Sequence, residues 1–134
     1  MQNAYKFTED SASNQHRLRK DFAVSAGTYT ISIFVKGTSR YLSIYPQTAS
    51  TAYALFDLEN ETITKSGGAD YVSSSIENYG NDWYRLILTC TASASTLKVH
   101  FYFSNNENLE APSYVGDGIS HLHFYGTIDR DWET

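Results

Sequence analysis

Tyr29-Thr30-Ile31-Ser32-Ile33-Phe34-Val35 is the stretch on which the fold turns. Tyr29, Ile31, Ile33 and Val35 recur at every second position, and a period of two places alternate side chains on opposite faces of a strand. Ala26-Gly27-Thr28 before it and Lys36-Gly37-Thr38 after it supply turn chemistry at both ends, so the run is bounded as a strand. The same signature repeats in both directions along the chain.

Downstream, Arg40 to Tyr45 sets Leu42 and Ile44 against Tyr41, Ser43 and Tyr45, and Pro46 lacks the donor needed to continue a ladder. Tyr53 to Leu58 follows, Asn60-Glu61 reads as a turn into Thr62-Ile63-Thr64, and Ser66-Gly67-Gly68 is a break. Tyr71 to Glu77 leads through the turn cluster Gly80-Asn81-Asp82 into the long run Trp83 to Thr91. There Tyr84, Leu86, Leu88 and Cys90 share one face, while Trp83 and Arg85 point the other way. Leu97, Val99, Phe101 and Phe103 form the inward set of the next strand, leaving Lys98, His100 and Tyr102 outward. Asn105 to Pro112 is a polar loop, and Ile119 to Ile128 is the last strand, with Leu122, Phe124, Gly126 and Ile128 opposite His121, His123 and Tyr125. Upstream, Phe7 and Leu18 to Val24 give the opening strands. No i, i+3, i+4, i+7 stripe persists long enough for a helix. About eight to ten short strands without helical crossovers mean an all-β sandwich or barrel.

With 134 residues the chain has the size of a single domain, spanning residues 1–134, and 11 Tyr with 7 Phe is a strand-former's composition. The net charge of −5 argues against nucleic acid, since phosphate binding needs clustered Lys and Arg. Arg17-Leu18-Arg19-Lys20, the one basic cluster, reads as a solvated strand face. Cys90 is the sole cysteine and fits a small buried hydrophobe. Met1-Gln2-Asn3-Ala4-Tyr5 carries no secretion signal, and no apolar run is long enough to insert in a membrane as a helix.

Several stretches together resemble a recurring domain of bacteriophage virion proteins related to jelly-roll carbohydrate-binding modules. They are Tyr5-Lys6-Phe7-Thr8-Glu9-Asp10, Gln15-His16-Arg17-Leu18, Gly27-Thr28-Tyr29-Thr30-Ile31-Ser32 with Val35-Lys36, and Phe56-Asp57-Leu58. Ile76-Glu77-Asn78-Tyr79-Gly80-Asn81-Asp82-Trp83-Tyr84-Arg85, Tyr114-Val115-Gly116-Asp117-Gly118-Ile119-Ser120 and Phe124-Tyr125-Gly126 complete the set. The Gly-Asn-x-Trp-Tyr-Arg and Tyr-x-Gly-Asp-Gly runs are its most specific parts. Two positions depart from the pattern: Asp82 stands where Gly usually precedes Trp-Tyr-Arg, and Tyr125-Gly126-Thr127 replaces a closing Trp-Gly-Ala. The resemblance implies a jelly-roll-like antiparallel β-sandwich in a tail-fibre, head-fibre or decoration protein, exposed on the virion and non-catalytic. The implied partners are bacterial surface polysaccharide, other virion proteins and further copies of the chain. Because the resemblance begins near Met1, the chain is expected to be a small whole protein or an excised domain.

Sugar recognition needs a flat aromatic face for the apolar side of a pyranose and fixed polar groups for its hydroxyls. Tyr45, Trp83, Arg85, His100, Tyr102, His121, His123 and Tyr125 make one such surface if their strands are neighbours. The alternative is that these side chains line an outer sheet or pack beneath a loop, and for Trp83 a core plug is the stronger reading. His121 and His123 with His100 offer three imidazoles, a weak signal for zinc beside ordinary exposed histidines. By the resemblance, a structural calcium near the terminal strands would draw on Glu9, Asp10, Asp129 and Asp131, which otherwise are surface carboxylates. Gly116-Asp117-Gly118 reads as a tight turn with both glycines at positive φ and Asp117 bonding local backbone. No nucleophile elbow, phosphate loop or metalloprotease motif is present, and no pair of carboxylates is singled out by spacing. No cofactor is expected. A cement protein without sugar binding, and a carbohydrate-binding module of a polysaccharide-degrading enzyme, remain the competing readings.

Overall fold

The computed structural model describes residues 4–93 and 95–125. Its strands are β1 (Tyr5–Thr8), β2 (Ser13–Asn14), β3 (His16–Val24), β4 (Gly27–Lys36), β5 (Tyr41–Gln47), β6 (Tyr53–Asp57), β7 (Thr62–Gly67), β8 (Tyr71–Asn78), β9 (Trp83–Ala92), β10 (Ser95–Ser104), β11 (Tyr114–Val115) and β12 (His121–Tyr125). They form two five-stranded antiparallel sheets, β1-β12-β4-β9-β8 and β3-β10-β5-β6-β7, and a small β2-β11 ribbon. The chain steps repeatedly between sheets, from β3 to β4 to β5 and from β9 to β10 to β12, as in a jelly-roll-like sandwich.

Alternation within each strand makes the core. Ile31, Ile33, Val35, Leu86, Leu88, Cys90, Leu122 and Phe124 of the first sheet face Leu42, Ile44, Phe56, Leu97, Val99, Phe101 and Phe103 of the second, all buried. Each such side chain removed from water contributes roughly 1.5–3 kcal/mol, so this interdigitated layer is the main source of stability. Cys90 is the small hydrophobe its setting suggests, its thiol pushed up to about 11 by burial and by Asp70. No helix among the described residues is long and apolar enough to cross a membrane.

Several strand ends differ from the sequence reading: β3, β4 and β10 begin earlier, and β7 runs through Ser66-Gly67, which read as a break. Two of the differences have a clear local reason. Pro46 does not close β5, which runs to Gln47. Its ring nitrogen faces the β6 side, where β6 pairs only with Leu42–Ile44, and its carbonyl on that side accepts the Ala52 N–H at 3.1 Å. The last strand begins at His121 rather than Ile119, because Asp117 Oδ1 accepts the N–H groups of Ile119 (2.8 Å) and Ser120 (2.7 Å) and holds that segment as a turn. Gly126 and Ile128 lie outside the described residues.

The turn chemistry is mostly as read. Asn81 and Asp82 both take positive φ, 55° and 66°, and Trp83 N–H donates to the Gly80 carbonyl at 3.0 Å, the type I′ geometry that suits a twisted hairpin. Gly118 has φ 70°, but Gly116 is required for another reason: a Cβ there would stand 1.9 Å from the Asp10 carbonyl oxygen. The specific Tyr-x-Gly-Asp-Gly run thus seals the ribbon against the N-terminal segment.

Candidate functional site

The sandwich separates the residues expected to make one surface. Tyr45, His100 and Tyr102 lie on the outer face of the β3-β10-β5-β6-β7 sheet, whereas Trp83, Arg85, His121, His123 and Tyr125 belong to the other sheet. Strands read as neighbours in the sequence are partners in different layers, so a single surface of all eight does not exist. Trp83 is only 6% exposed and so offers little ring face to a ligand, yet it lies outside the central core cluster, on the side of β9 opposite Leu86 and Leu88. His100 cannot join His121 and His123 on one metal ion from the opposite sheet, and no group of three or more potential ligands occurs among the described residues.

On the second sheet, cross-strand register builds an aromatic patch. His100 is opposite Tyr45 and, on its other side, Arg19, while Tyr102 is opposite Arg17 and Ser43. The Tyr45 and Tyr53 rings are near parallel, 6.1 Å apart at 16°. Tyr45 meets Tyr102 edge-on at 5.5 Å, and Tyr102 stacks on His100 at 5.2 Å. Such contacts fix ring orientation beyond simple burial. His100 (3% exposed) and Tyr102 (5%) point outward as expected but form the floor of the patch, not its surface. Half-buried Tyr45 and Tyr53 are the rings within reach of a ligand.

Polar groups frame these rings. Arg17 Nη1 donates to the Tyr102 hydroxyl at 3.4 Å and approaches His100 Nδ1 at 3.5 Å. Across the patch, Lys65 Nζ lies 5.4 Å from the Tyr53 ring centroid and 2.6 Å from a Glu110 carboxylate oxygen. Opposite Tyr53 stands Gly67, where a Cβ would meet the tyrosine hydroxyl at 2.9 Å. The loop read as merely polar crosses the next row: Ser43 Oγ donates to the Glu110 carbonyl at 2.6 Å and Gln15 Nε2 to the Ala111 carbonyl at 3.0 Å. His100 Nε2 is buried with no hydrogen-bond partner. Desolvation, reinforced by Arg17 and Arg19, pushes the ring down to about 4, so it is neutral at physiological pH.

The first sheet carries a smaller aromatic strip. Phe34 touches Tyr79 edge-on at 4.9 Å and Tyr125 at 5.9 Å, Arg85 sits 3.5 Å from Glu77, and His123 lies opposite Lys36. Burial, His121, Lys6 and Lys36 together lower the His123 pKa. At one end of the sandwich two open grooves of about 360 and 140 Å³, the smaller one mainly polar, share Thr38, Leu58 and Glu59.

Glu9, expected among possible calcium ligands, is spoken for. Its carboxylate is 2% exposed and accepts Arg40 Nε (2.8 Å) and Nη2 (2.9 Å), the Tyr114 hydroxyl (2.7 Å) and the Asp117 N–H (3.0 Å). Burial raises its pKa, but these donors outweigh burial and hold it below the ordinary value. An arginine thus supplies the positive charge at this carboxylate. Asp10 instead bonds the Ala12 N–H at 3.0 Å and lies 3.4 Å from His16, while Asp129 and Asp131 lie outside the described residues.

Arg17, Tyr53, Lys65 and Glu110 were missed in the sequence because membership of the patch depends on strand register and loop path. The only signal in the chain was the alternation that puts Tyr53 and Arg17 on outward faces. Comparison with protein-family models finds no match, and no curated protein is detectably similar in sequence.

Proposed function

We propose that this sandwich is a non-catalytic glycan-binding domain of a virion surface, binding host polysaccharide through the outer face of the β3-β10-β5-β6-β7 sheet. The observation that carries the reading is the parallel Tyr45 and Tyr53 pair, held from below by buried His100 and Tyr102 and framed by Arg17, Lys65 and Glu110. Pre-set rings offer apolar area with little ordering cost, and the charged frame offers donors and acceptors for hydroxyls. A patch on an open sheet face binds weakly, and many copies on one particle would compensate by avidity. The virion setting rests on the resemblance of the sequence.

The carboxylates support a non-catalytic role. Glu9 is consumed by Arg40 and Tyr114, and Asp117 is held well below the usual carboxylate range by the Ser120 hydroxyl and by backbone donors. A glycosidase needs one carboxyl poised to give a proton.

A glycan array including bacterial capsular and lipopolysaccharide sugars, followed by calorimetry, tests the reading. Retention by one sugar class that is lost in Tyr45→Ala and Tyr53→Ala, each still cooperatively folded at the assay temperature, is expected. Retention insensitive to both substitutions refutes the site. Val115 and Ile119, 69% and 75% exposed near one end, favour an assembly contact as the second reading. A clean negative on the array, with self-association lost in Ile119→Ser, would favour that role.

A further inference from the structure

The charge on the aromatic face points to the class of sugar. We propose, building on the glycan-binding reading, that the polysaccharide is acidic, with carboxylate or phosphate groups docking on Arg17 and Lys98 while its sugar rings lie against Tyr45 and Tyr53. The chain as a whole is negative, at −5, yet the β3 and β10 strip of this face presents Arg17, Arg19 and Lys98 against Asp21 alone. Arg19 and Asp21 close on each other in a two-point pair, 2.8 Å at each oxygen. One carboxylate thus answers three cations, and the strip keeps a surplus of positive charge.

Arg17 and Lys98 are exposed and close no ion pair with a carboxylate among the described residues; Lys98 stands opposite Asp21, the carboxylate that Arg19 already holds at two points. Arg17 rests only on Tyr102 and His100, at 3.4 and 3.5 Å, both long contacts to uncharged groups, so its guanidinium fork keeps donors for a bidentate oxyanion. Lys98 and His100 share one face of β10, and Arg17 stands beside Tyr102, the next outward residue. Two-residue steps along a strand put the Lys98 and Arg17 rows about 13 Å apart, a span that several linked sugars cross. His100 between them is buried with an unpartnered Nε2 and faces cations from both strands. A chain of anionic sugars laid along β10 would neutralise this strip and bring its rings over Tyr45, which lies opposite His100. On the far side of the rings, Lys65 is already matched by Glu110, so the unmet positive charge is confined to the β3 edge.

The test is affinity electrophoresis of the whole chain in native gels containing polygalacturonate, poly(glycerol phosphate) or neutral dextran, with single-stranded DNA as a polyanion of other chemistry. At least one acidic polymer should retard the chain with a dissociation constant about tenfold or more below that for dextran, since a hydrogen-bonded charge contributes about that factor. Which polymer does so separates carboxylate from phosphate. Arg17→Gln with Lys98→Gln should weaken retention about tenfold or more, while Lys6→Gln on the opposite sheet should leave it unchanged. Melting curves of each variant confirm folding. No retention by either acidic polymer, or retention unaffected by the double variant, overturns the acidic assignment, and neutral-sugar hits lost in Tyr45→Ala would then leave the glycan-binding reading standing. Equal retention of DNA, or acidic-polymer binding unaffected by Tyr45→Ala, marks bare polyanion adhesion and overturns both.

Discussion

Acid should weaken this fold through one ring. His100 is buried and is held at about 4 in the folded chain against 6.5 when free, through desolvation and then the charges of Arg17 and Arg19. As pH falls through 6.5 the unfolded chain takes up a proton that the folded chain refuses. Stability is therefore fully present above that value and lost progressively down to the folded pKa. At about 1.4 kcal/mol per unit, the difference amounts to about 3 kcal/mol at the acid limit and about 2.5 kcal/mol by pH 4.5. Domains of this size are stable by roughly 5–15 kcal/mol, so the loss is large. The measurement is urea unfolding at pH 7.5 and 4.5 for the wild type and for His100→Phe, which keeps a flat ring against Tyr102 and removes both nitrogens. His123, also lowered, and the carboxylates titrate in both proteins, so the difference between them isolates His100. The variant should lose about 2.5 kcal/mol less on acidification and be no less stable at pH 7.5, because the unpartnered Nε2 is gone. An equal acid loss in the two proteins would refute the reasoning.

Other consequences are sharper in direction than in size. Arg40→Ala leaves the Glu9 carboxylate buried without its two-point partner and should cost about 3–5 kcal/mol, read from the shift in urea midpoint, with Glu9→Gln in the same background recovering part of it. Gly116→Ala drives a methyl group into the Asp10 carbonyl and should cost about 3 kcal/mol or more, seen as a lowered melting temperature. Phe101→Ala empties the middle of the core and should cost about 3–5 kcal/mol by the same measure. Cys90, with its buried thiol raised to about 11, should react with a disulfide reagent only as fast as the chain unfolds; rapid modification of the native protein would contradict the packing.

Arg40 illustrates how charge is settled inside this sandwich. Glu9, Arg40 and Tyr114 come from three distant parts of the chain, and each is satisfied only when all are in place. Arg40 also lies 5.3 Å from the Tyr114 ring centroid, so the guanidinium is packed as well as paired. Half-met, such a group costs more than an apolar one, and the arrangement thereby specifies the register of β1, the β2-β11 ribbon and the β4-β5 connection together.

Alternation along each strand determined the layers of this protein. Leu97, Val99, Phe101 and Phe103 had to share a face because the strand period is two, and Gly80-Asn81-Asp82 had to turn because those residues accept positive φ cheaply. Which face each strand shows, and hence that His100 and Tyr102 point away from the core, follows from that local rule. Pairing does not. Tyr45 finds Tyr53 through the β5-β6 ladder and Arg17 finds Tyr102 through the β3-β10 ladder, contacts between residues 85 apart in the latter case that local pattern cannot encode. Tertiary structure alone decided that Arg85 and His123 belong to the opposite sheet and that Glu9 faces an arginine. Backbone conformation is set by each residue's own sterics, whereas a site is set by which ladders close and which loop crosses them, and that depends on the whole core at once.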